Sequence, residues 1–215
     1  MARRLYDLTG ADPRCRFSPY CNRIRRALAA KGLDAEIVPI RFTDKDRIAF
    51  SGQKLVPILT DGERTITDSW DIACYLDEVY PEPPLMEGEQ ARALTGAFRN
   101  WVDSVIHPLI LRIVILDIHR ALTPGDQVYF RETREQRFGC TLEEFHQGEA
   151  AIPALQRALE PARMTLRQSP CICGDRPGFA DFILAGAFDW AGAVSKVSLL
   201  SGDDPLRSWY ARMGA

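Results

Sequence analysis

Long apolar runs are the first thing this 215-residue chain does without. Its longest apolar region, residues 108–118, is interrupted by Arg112 and Asp117 and is too short for a bilayer-spanning helix, which needs about 20 apolar residues. No membrane segment is expected. Charge of one sign is also missing: 27 Lys and Arg against 29 Asp and Glu leave a formal −2, so nothing draws the chain as a whole to nucleic acid or to an anionic surface. The local run of Arg23, Arg25 and Arg26 reads as a solvated helix face. Histidine is scarce, and His107, His119 and His146 stand at no metal-ligand spacing such as i, i+4, so no metal is expected. Cysteines 15, 21, 74, 140, 171 and 173 make no Cys-x-x-Cys knuckle, and free thiols are expected rather than a disulfide framework. The basic start is followed by Asp7 and Asp12 instead of an apolar signal core, which points to the cytoplasm.

What is present is an orderly alternation of short elements. Residues 5–8 read as a strand, and Cys21, Ile24, Ala27 and Leu28 share one face of a helix that starts at Ser18-Pro19 and stops at Gly32. Residues 35–40 return to a strand pattern, so the first two strands are expected to be parallel with a right-handed crossover. A polar segment, 43–50, leads through Ser51-Gly52-Gln53-Lys54 to Leu55-Val56-Pro57-Ile58-Leu59. In a central strand Pro57 would forfeit a ladder hydrogen bond, so it belongs at a strand start, at an edge, or in a cis bond. Asp61-Gly62 reads as a two-residue hairpin turn with residues 63–67 as the return strand. Asp68-Ser69 then caps a helix with Ile72, Ala73, Tyr75, Leu76 and Val79 on a 3.6 period, and Pro81-Glu82-Pro83-Pro84 cannot continue it. From about Gly88 the pattern is helical: 89–121 with a kink at Pro108, 126–139, 141–168, 179–197 and 205–213. The fold class is therefore an α/β N-terminal domain with a mixed four-stranded sheet (1–80), a linker (81–88) and an all-helical bundle (89–215).

Ser18 stands where a bound thiol can be activated. An N-cap hydroxyl lies beside the unpaired N–H groups of the first helical turn, at the positive end of the helix dipole, and a thiolate is favoured there. The chain's own residue is serine, so the thiol must come from a bound cysteine compound. A plain helix cap accounts for the same residues. Cys21, three positions on, shares the apolar helix face, which is a packing position, and without a first cysteine no dithiol cycle is available there.

The ordered set of Ser18 at a helix cap, Val56-Pro57 before the third strand and Asp68-Ser69 opening the next helix, followed by a helical second half, resembles the glutathione transferase family over the whole chain. Asp68-Ser69-Trp70, Tyr75-Leu76-Asp77-Glu78-Val79-Tyr80-Pro81, Ile115-Leu116-Asp117-Ile118-His119 and Asp203-Asp204-Pro205-Leu206-Arg207-Ser208-Trp209 look like the bacterial aryl β-ether-cleaving enzymes and their fungal relatives. The resemblance implies a thioredoxin-like first domain and glutathione as cosubstrate. Ser18 would donate to the glutathione sulfur, with Asn22 as a second donor. Val56 would pair its backbone with the cysteinyl moiety, presented by a cis Pro57. Ser69 would receive the γ-glutamyl carboxylate with Asp68 near the amino group, and Gln53 or Lys54 would meet the glycyl carboxylate. A hydrophobic electrophile would lie between the domains, lined by Trp101, Ile110, Val114 and Tyr129, in a homodimer without metal. Two positions depart from the family pattern: Leu55 stands where many relatives carry a basic residue, and Gly178 where a capping serine or threonine is usual. The implied activity is thiolate attack on a hydrophobic, aromatic electrophile. A narrow β-etherase or isomerase, a non-catalytic ligand-binding module, and a redox role for Cys15 or Cys21 are the alternatives.

Overall fold

The computed structural model describes residues 3–214. Four strands, β1 (Arg3–Leu8), β2 (Glu36–Ile40), β3 (Ile58–Asp61) and β4 (Arg64–Thr67), form one mixed sheet in the order β2-β1-β3-β4. β2 is parallel to β1, and the others are antiparallel to their neighbours. Helix α1 (Pro19–Ala30) buries Cys21, Ile24, Ala27 and Leu28, the face its apolar spacing specifies. Helix α2 is Ser69–Val79. The hairpin turn is Gly62-Glu63, one residue later than expected, because Asp61 stays in register with Arg64. Its carboxylate is held there by Arg3 (3.2 Å), Tyr75 (3.2 Å) and Tyr80 (2.6 Å). β3 begins only at Ile58, since Pro57 has no N–H for the ladder and follows a cis Val56-Pro57 bond.

Residues 81–87 are strapped down by Lys31, whose ammonium donates to the Tyr80 and Pro83 carbonyls (2.6 and 2.7 Å) and pairs with Asp77 (2.8 Å). Helices α3 (Gly88–Trp101) and α4 (His107–Arg120) are joined by a π-helical turn over Val102–Ile106. The distortion thus precedes Pro108 rather than following it. Pro108 has no N–H for the carbonyl of Ser104, and the turn widens so that the His107 N–H bonds back to Val102. α5 is Pro124–Phe138. The stretch expected as one helix, 141–168, is broken into α6 (Leu142–Phe145), a 3-10 turn (Gly148–Ala151), α7 (Ile152–Ala158) and α8 (Glu160–Leu166). Pro153 and Pro161 each occupy the first turn of a new helix, where a missing N–H costs nothing. α9 (Phe179–Val194) and α10 (Pro205–Arg212) complete the bundle.

α1 and α9 form the seam between sheet and bundle. A Cβ on Gly186 of α9 would lie 3.0 Å from the Pro19 carbonyl oxygen and 3.1 Å from the Arg23 nitrogen, so only glycine lets the two backbones come this close. Asn22 fastens the crossing by donating to the Gly186 carbonyl (3.1 Å). The arginine run on α1 is not a solvated face. Arg23 is fully buried and pairs with Asp103 (2.6 Å), Arg25 reaches Asp7 (3.1 Å), and Arg26 grips Asp189 of α9 through two 2.6 Å bonds. At the start of α9, Asp181 is fully buried and accepts from Ile172 N, Cys173 N, Gly178 N and Trp209 Nε1. Gly178 has no space for a capping side chain: its Cβ would sit 2.8 Å from Cys173 Sγ and 3.0 Å from the Leu85 carbonyl oxygen.

Candidate active site

Strand register gathers the site. β1 and β4 run antiparallel to β3, with Tyr6 opposite Ile58 and Ile58 opposite Thr67. The end of β1, the Val56-Pro57 pair before β3 and Asp68-Ser69 after β4 therefore share one end of the sheet. The loop from β1 delivers Ser18 to that end as the N-cap of α1, with its Oγ accepting from Cys21 N at 3.2 Å. Asn22 N bonds to the Ser18 carbonyl and Pro19 has no N–H, which leaves the Tyr20 amide without a backbone acceptor among the described residues. The Ser18 hydroxyl keeps its own proton to donate.

Val56 lies outside the strands, and its N–H and C=O make no hydrogen bond among the described residues. Such a backbone pair is an open half-ladder for an extended peptide. Asp68 holds φ +68°, ψ 136°, a conformation that suits glycine, while its carboxylate accepts from Trp70 N at 2.7 Å. This strained turn sets the almost fully buried Ser69 at the first position of α2.

Ser18, Lys54 and Val56 open onto a cavity of about 380 Å³ between the sheet end and helices α4, α5 and α9. Aromatic rings form much of its wall, including Phe42, Phe130 and the Phe138–Phe145 pair stacked at 4.1 Å. Tyr20 and Trp190 pack edge-on against His107 at 5.5 and 5.6 Å. His107 is almost fully buried with no hydrogen-bond partner for either ring nitrogen, and burial, helped by the Arg23 charge, pulls it down to about 3. It stays neutral at physiological pH. Among the described residues no three His, Cys, Asp or Glu side chains are grouped to hold a metal ion.

Several expected residues lie elsewhere. Ile110 and Val114 are fully buried in the core, because the most apolar face of α4 turns inward while His107, Leu111 and Arg112 face the cavity. Trp101 packs at a tilt on Phe98 (5.1 Å), and Tyr129 stands behind the cavity lining, against Phe42 (6.1 Å) and beneath the Lys45 ammonium (5.5 Å). Asn22 is not free to donate to a thiolate: it is fully buried, with its amide spent on Gly186 and its carbonyl oxygen on Arg25 (2.5 Å). Gln53 and Lys54 are exposed on the loop before Val56, and Leu55, which follows them, is 74 % exposed. Sequence reasoning missed the basic and aromatic face of α5, although Phe130, Arg134, Arg137 and Phe138 recur there at helical spacing.

The chain belongs to the glutathione S-transferase family: residues 13–84 match its N-terminal domain and residues 93–199 its C-terminal domain. It is 34 % identical over 134 residues to a zeta-class glutathione S-transferase of Euphorbia esula, a stretch that spans 60 % of this chain and 60 % of that relative's length. It is 30 % identical over 169 residues to glutathione S-transferase 1 of Dianthus caryophyllus, covering 76 % of this chain and 68 % of the relative. Among solved structures, glutathione transferase GSTFuA3 from Phanerochaete chrysosporium superposes with a TM-score of 0.89 at 25 % identity, over 99 % of this chain and 96 % of that one. The glutathione S-transferase CsGST63524 of Ceriporiopsis subvermispora, solved in complex with glutathione, shares the fold at a TM-score of 0.86 and 21 % identity, over 100 % of this chain and 98 % of that one. The thioredoxin-like first half with its mixed four-stranded sheet and the helical second half are those of the family, whose members take glutathione as cosubstrate.

Proposed function

We propose that the protein is a glutathione transferase in which Ser18 and the N-terminus of α1 hold the glutathione thiolate for attack on an aromatic electrophile in the adjoining cavity. The observation that carries this reading is an N-cap hydroxyl opening onto an aromatic cavity, at the sheet end where Val56 leaves its backbone unpaired. Val56 pairs with the cysteinyl moiety, Ser69 and the N-terminus of α2 take the γ-glutamyl carboxylate, Asp68 the amino group, and Gln53 or Lys54 the glycyl carboxylate. Lowering a thiol by about two pKa units needs just under ~3 kcal/mol. One hydrogen bond to a charged sulfur contributes about 1.5–3 kcal/mol and a helix N-terminus about 0.3–1 kcal/mol, so Ser18 and α1 suffice together. With an aryl ether, the C–S bond forms as the C–O bond breaks and phenolate leaves with the electron pair. A homodimer in the cytoplasm belongs to the same reading.

The test is steady-state turnover with glutathione across aryl ethers, halogenated aromatics and generic electrophiles, with Ser18→Ala in parallel. The expected result is turnover that falls about tenfold or more in the variant. Glutathione binding without turnover on any substrate would overturn the enzyme reading in favour of a ligand-binding module.

A further inference from the structure

Among the described residues most arginines that leave solvent are paired with acids; Arg99, half-buried over Trp70 (4.7 Å) and away from the cavity, is an exception. Arg3 meets Asp61 (3.2 Å), Arg23 meets Asp103 (2.6 Å), Arg26 meets Asp189 (2.6 Å) and Arg163 meets Asp204 (2.7 Å). One turn before the cavity, Arg131 bridges Glu135 and Glu143 at 2.8 Å each. Arg134 breaks this pattern. It is half-buried on the cavity wall with no carboxylate within 4.0 Å among the described residues. Its guanidinium lies over Phe130 (4.7 Å) and Phe42 (5.2 Å), and of its N–H donors only Nη1 has a protein acceptor, Thr133 Oγ1 at 3.0 Å. Burial lowers the Arg134 pKa from its ordinary range, and the charge of Arg137 acts in the same direction.

Arg134 is not alone. Arg112, over Phe145 (4.8 Å), and Arg137, over Phe138 (5.8 Å), line the same cavity and also lack acidic partners among the described residues. The one carboxylate in the lining, Asp103, is committed to Arg23. A larger groove of about 1290 Å³ on the far side of α1 is also rich in arginine, but there Arg14 pairs with Asp12, Arg16 and Arg25 with Asp7, and Arg26 with Asp189, while the remaining two, Arg176 and Arg212, are exposed to solvent.

The unneutralised guanidinium groups of Arg112, Arg134 and Arg137 set among aromatic rings, with Arg41, Lys45 and Lys54 adding positive charge to the same lining, favour a ligand that is aromatic and anionic. The ring stacks on the walls, and a carboxylate accepts two parallel N–H bonds from one guanidinium, an interaction strengthened where water is excluded. In the reading above, glutathione's own carboxylates lie toward Ser69 and Lys54 on the sheet side, whereas Arg112, Arg134 and Arg137 come from α4 and α5. We propose that the second substrate is an aromatic electrophile bearing a carboxylate, which Arg134 binds with support from Arg112 and Arg137. The proposal rests on the transferase reading. In the reaction the glutathione sulfur forms the C–S bond, the leaving group departs with its electron pair, and the carboxylate is kept in the product as the handle by which the site holds it.

A matched pair tests this: 4-chloro-3-nitrobenzoate and its methyl ester, which share a ring and a leaving group. For each, kcat/KM is divided by the uncatalysed rate constant with glutathione. The expected outcome is a preference for the carboxylate of about tenfold or more, reduced to near unity in Arg134→Met and partly kept in Arg134→Lys. Arg137→Gln, on an exposed position, serves as the second variant and reduces the preference without disturbing the half-buried packing. Equal use of both compounds, or preference for the ester, would overturn the proposal. So would an Arg134→Met enzyme that keeps the preference and loses glutathione affinity, since Arg134 would then hold the glycyl carboxylate. Should neither compound be turned over, the transferase reading is decided separately by the electrophile panel above. The anion site is then judged by quenching of tryptophan fluorescence by the benzoate against the ester, with the same dependence on Arg134 deciding it.

Discussion

At Ser18 one oxygen serves two purposes, accepting from the Cys21 amide to close the helix cap and keeping a proton for a sulfur anion. Ser18→Asp separates them. The carboxylate still caps α1, but its charge opposes a thiolate. The acid limb of the pH–rate profile is therefore expected to move to higher pH in Ser18→Asp than in Ser18→Ala, while Ser18→Ala alone loses about 0.5–2 kcal/mol of stability in thermal denaturation. Cys21 behaves as core: it is fully buried, and burial first, with the Asp7 charge second, raises its thiol well above the usual range. It is expected to stay unalkylated by iodoacetamide in the folded protein, with peptide mass spectrometry as the readout. His107 is the opposite of a satisfied core residue. Because its folded pKa is depressed, the unfolded chain binds the extra proton between about 3 and its ordinary value near 6.5. Stability is thus full above that upper value and is lost as pH falls toward the lower one. His107→Phe removes two ring nitrogens that make no hydrogen bond, one of them 3.4 Å from the Asp103 carboxylate. Its unfolding midpoint is expected to match or exceed that of the native protein and to depend less on pH below about 6.

Elements in this fold are positioned by close approaches that a local pattern does not reveal. α9 crosses α1 at Gly186, so Gly186→Ala gains about 1 kcal/mol of helix propensity and loses more to overpacking, at about 1–3 kcal/mol. A net drop in the denaturant midpoint is expected. Gly178 carries the same lesson at the start of α9. A serine there is the better N-cap in isolation, yet its Cβ would collide with Cys173 Sγ. Gly178→Ser is expected to lower the melting temperature, and Cys173→Ala in the same chain to recover part of the loss. Double-mutant analysis of the pair measures that coupling directly. The helix over 89–121 follows its periodicity almost end to end, and its one irregular turn traces to Pro108. The segment over 141–168 shows how far periodicity can mislead: it reads as one helix, but Pro153 and Pro161 each fall in the first turn of a new one.

The sheet and the bundle share a main apolar core, in which Leu5, Ile24 and Leu59 belong with Ile106, Ile183 and Trp209, beside a small separate cluster of Ile40, Ile48 and Ile58. With no break in that core, the two halves are expected to unfold in one transition, seen alike by tryptophan fluorescence and by far-UV circular dichroism. Arg26 and Asp189 clamp the seam with paired, partly buried bonds. A double-mutant cycle on Arg26→Ala and Asp189→Ala is expected to show a coupling of about 0.5–3 kcal/mol. The cavity is likewise a property of the assembled molecule, since its floor comes from the sheet end and its walls from α4, α5 and α9. What it selects therefore depends on how the two halves meet.

The sequence by itself determined the order of the strands and of the helices outside 141–168, the cap at Ser18, the unusual backbone at Val56-Pro57 and the Asp68-Ser69 helix start. Each of these is written within a few residues by propensity, proline chemistry or capping, and needs no distant partner. Only the tertiary structure decided which face of α4 meets the cavity, why Arg23 and Asn22 are buried, and that Arg134 has no acid beside it. Those outcomes rest on contacts between residues far apart in the chain, such as Asn22 with Gly186 and Arg26 with Asp189. Burial and the partner that compensates a charge are set only when such segments pack together.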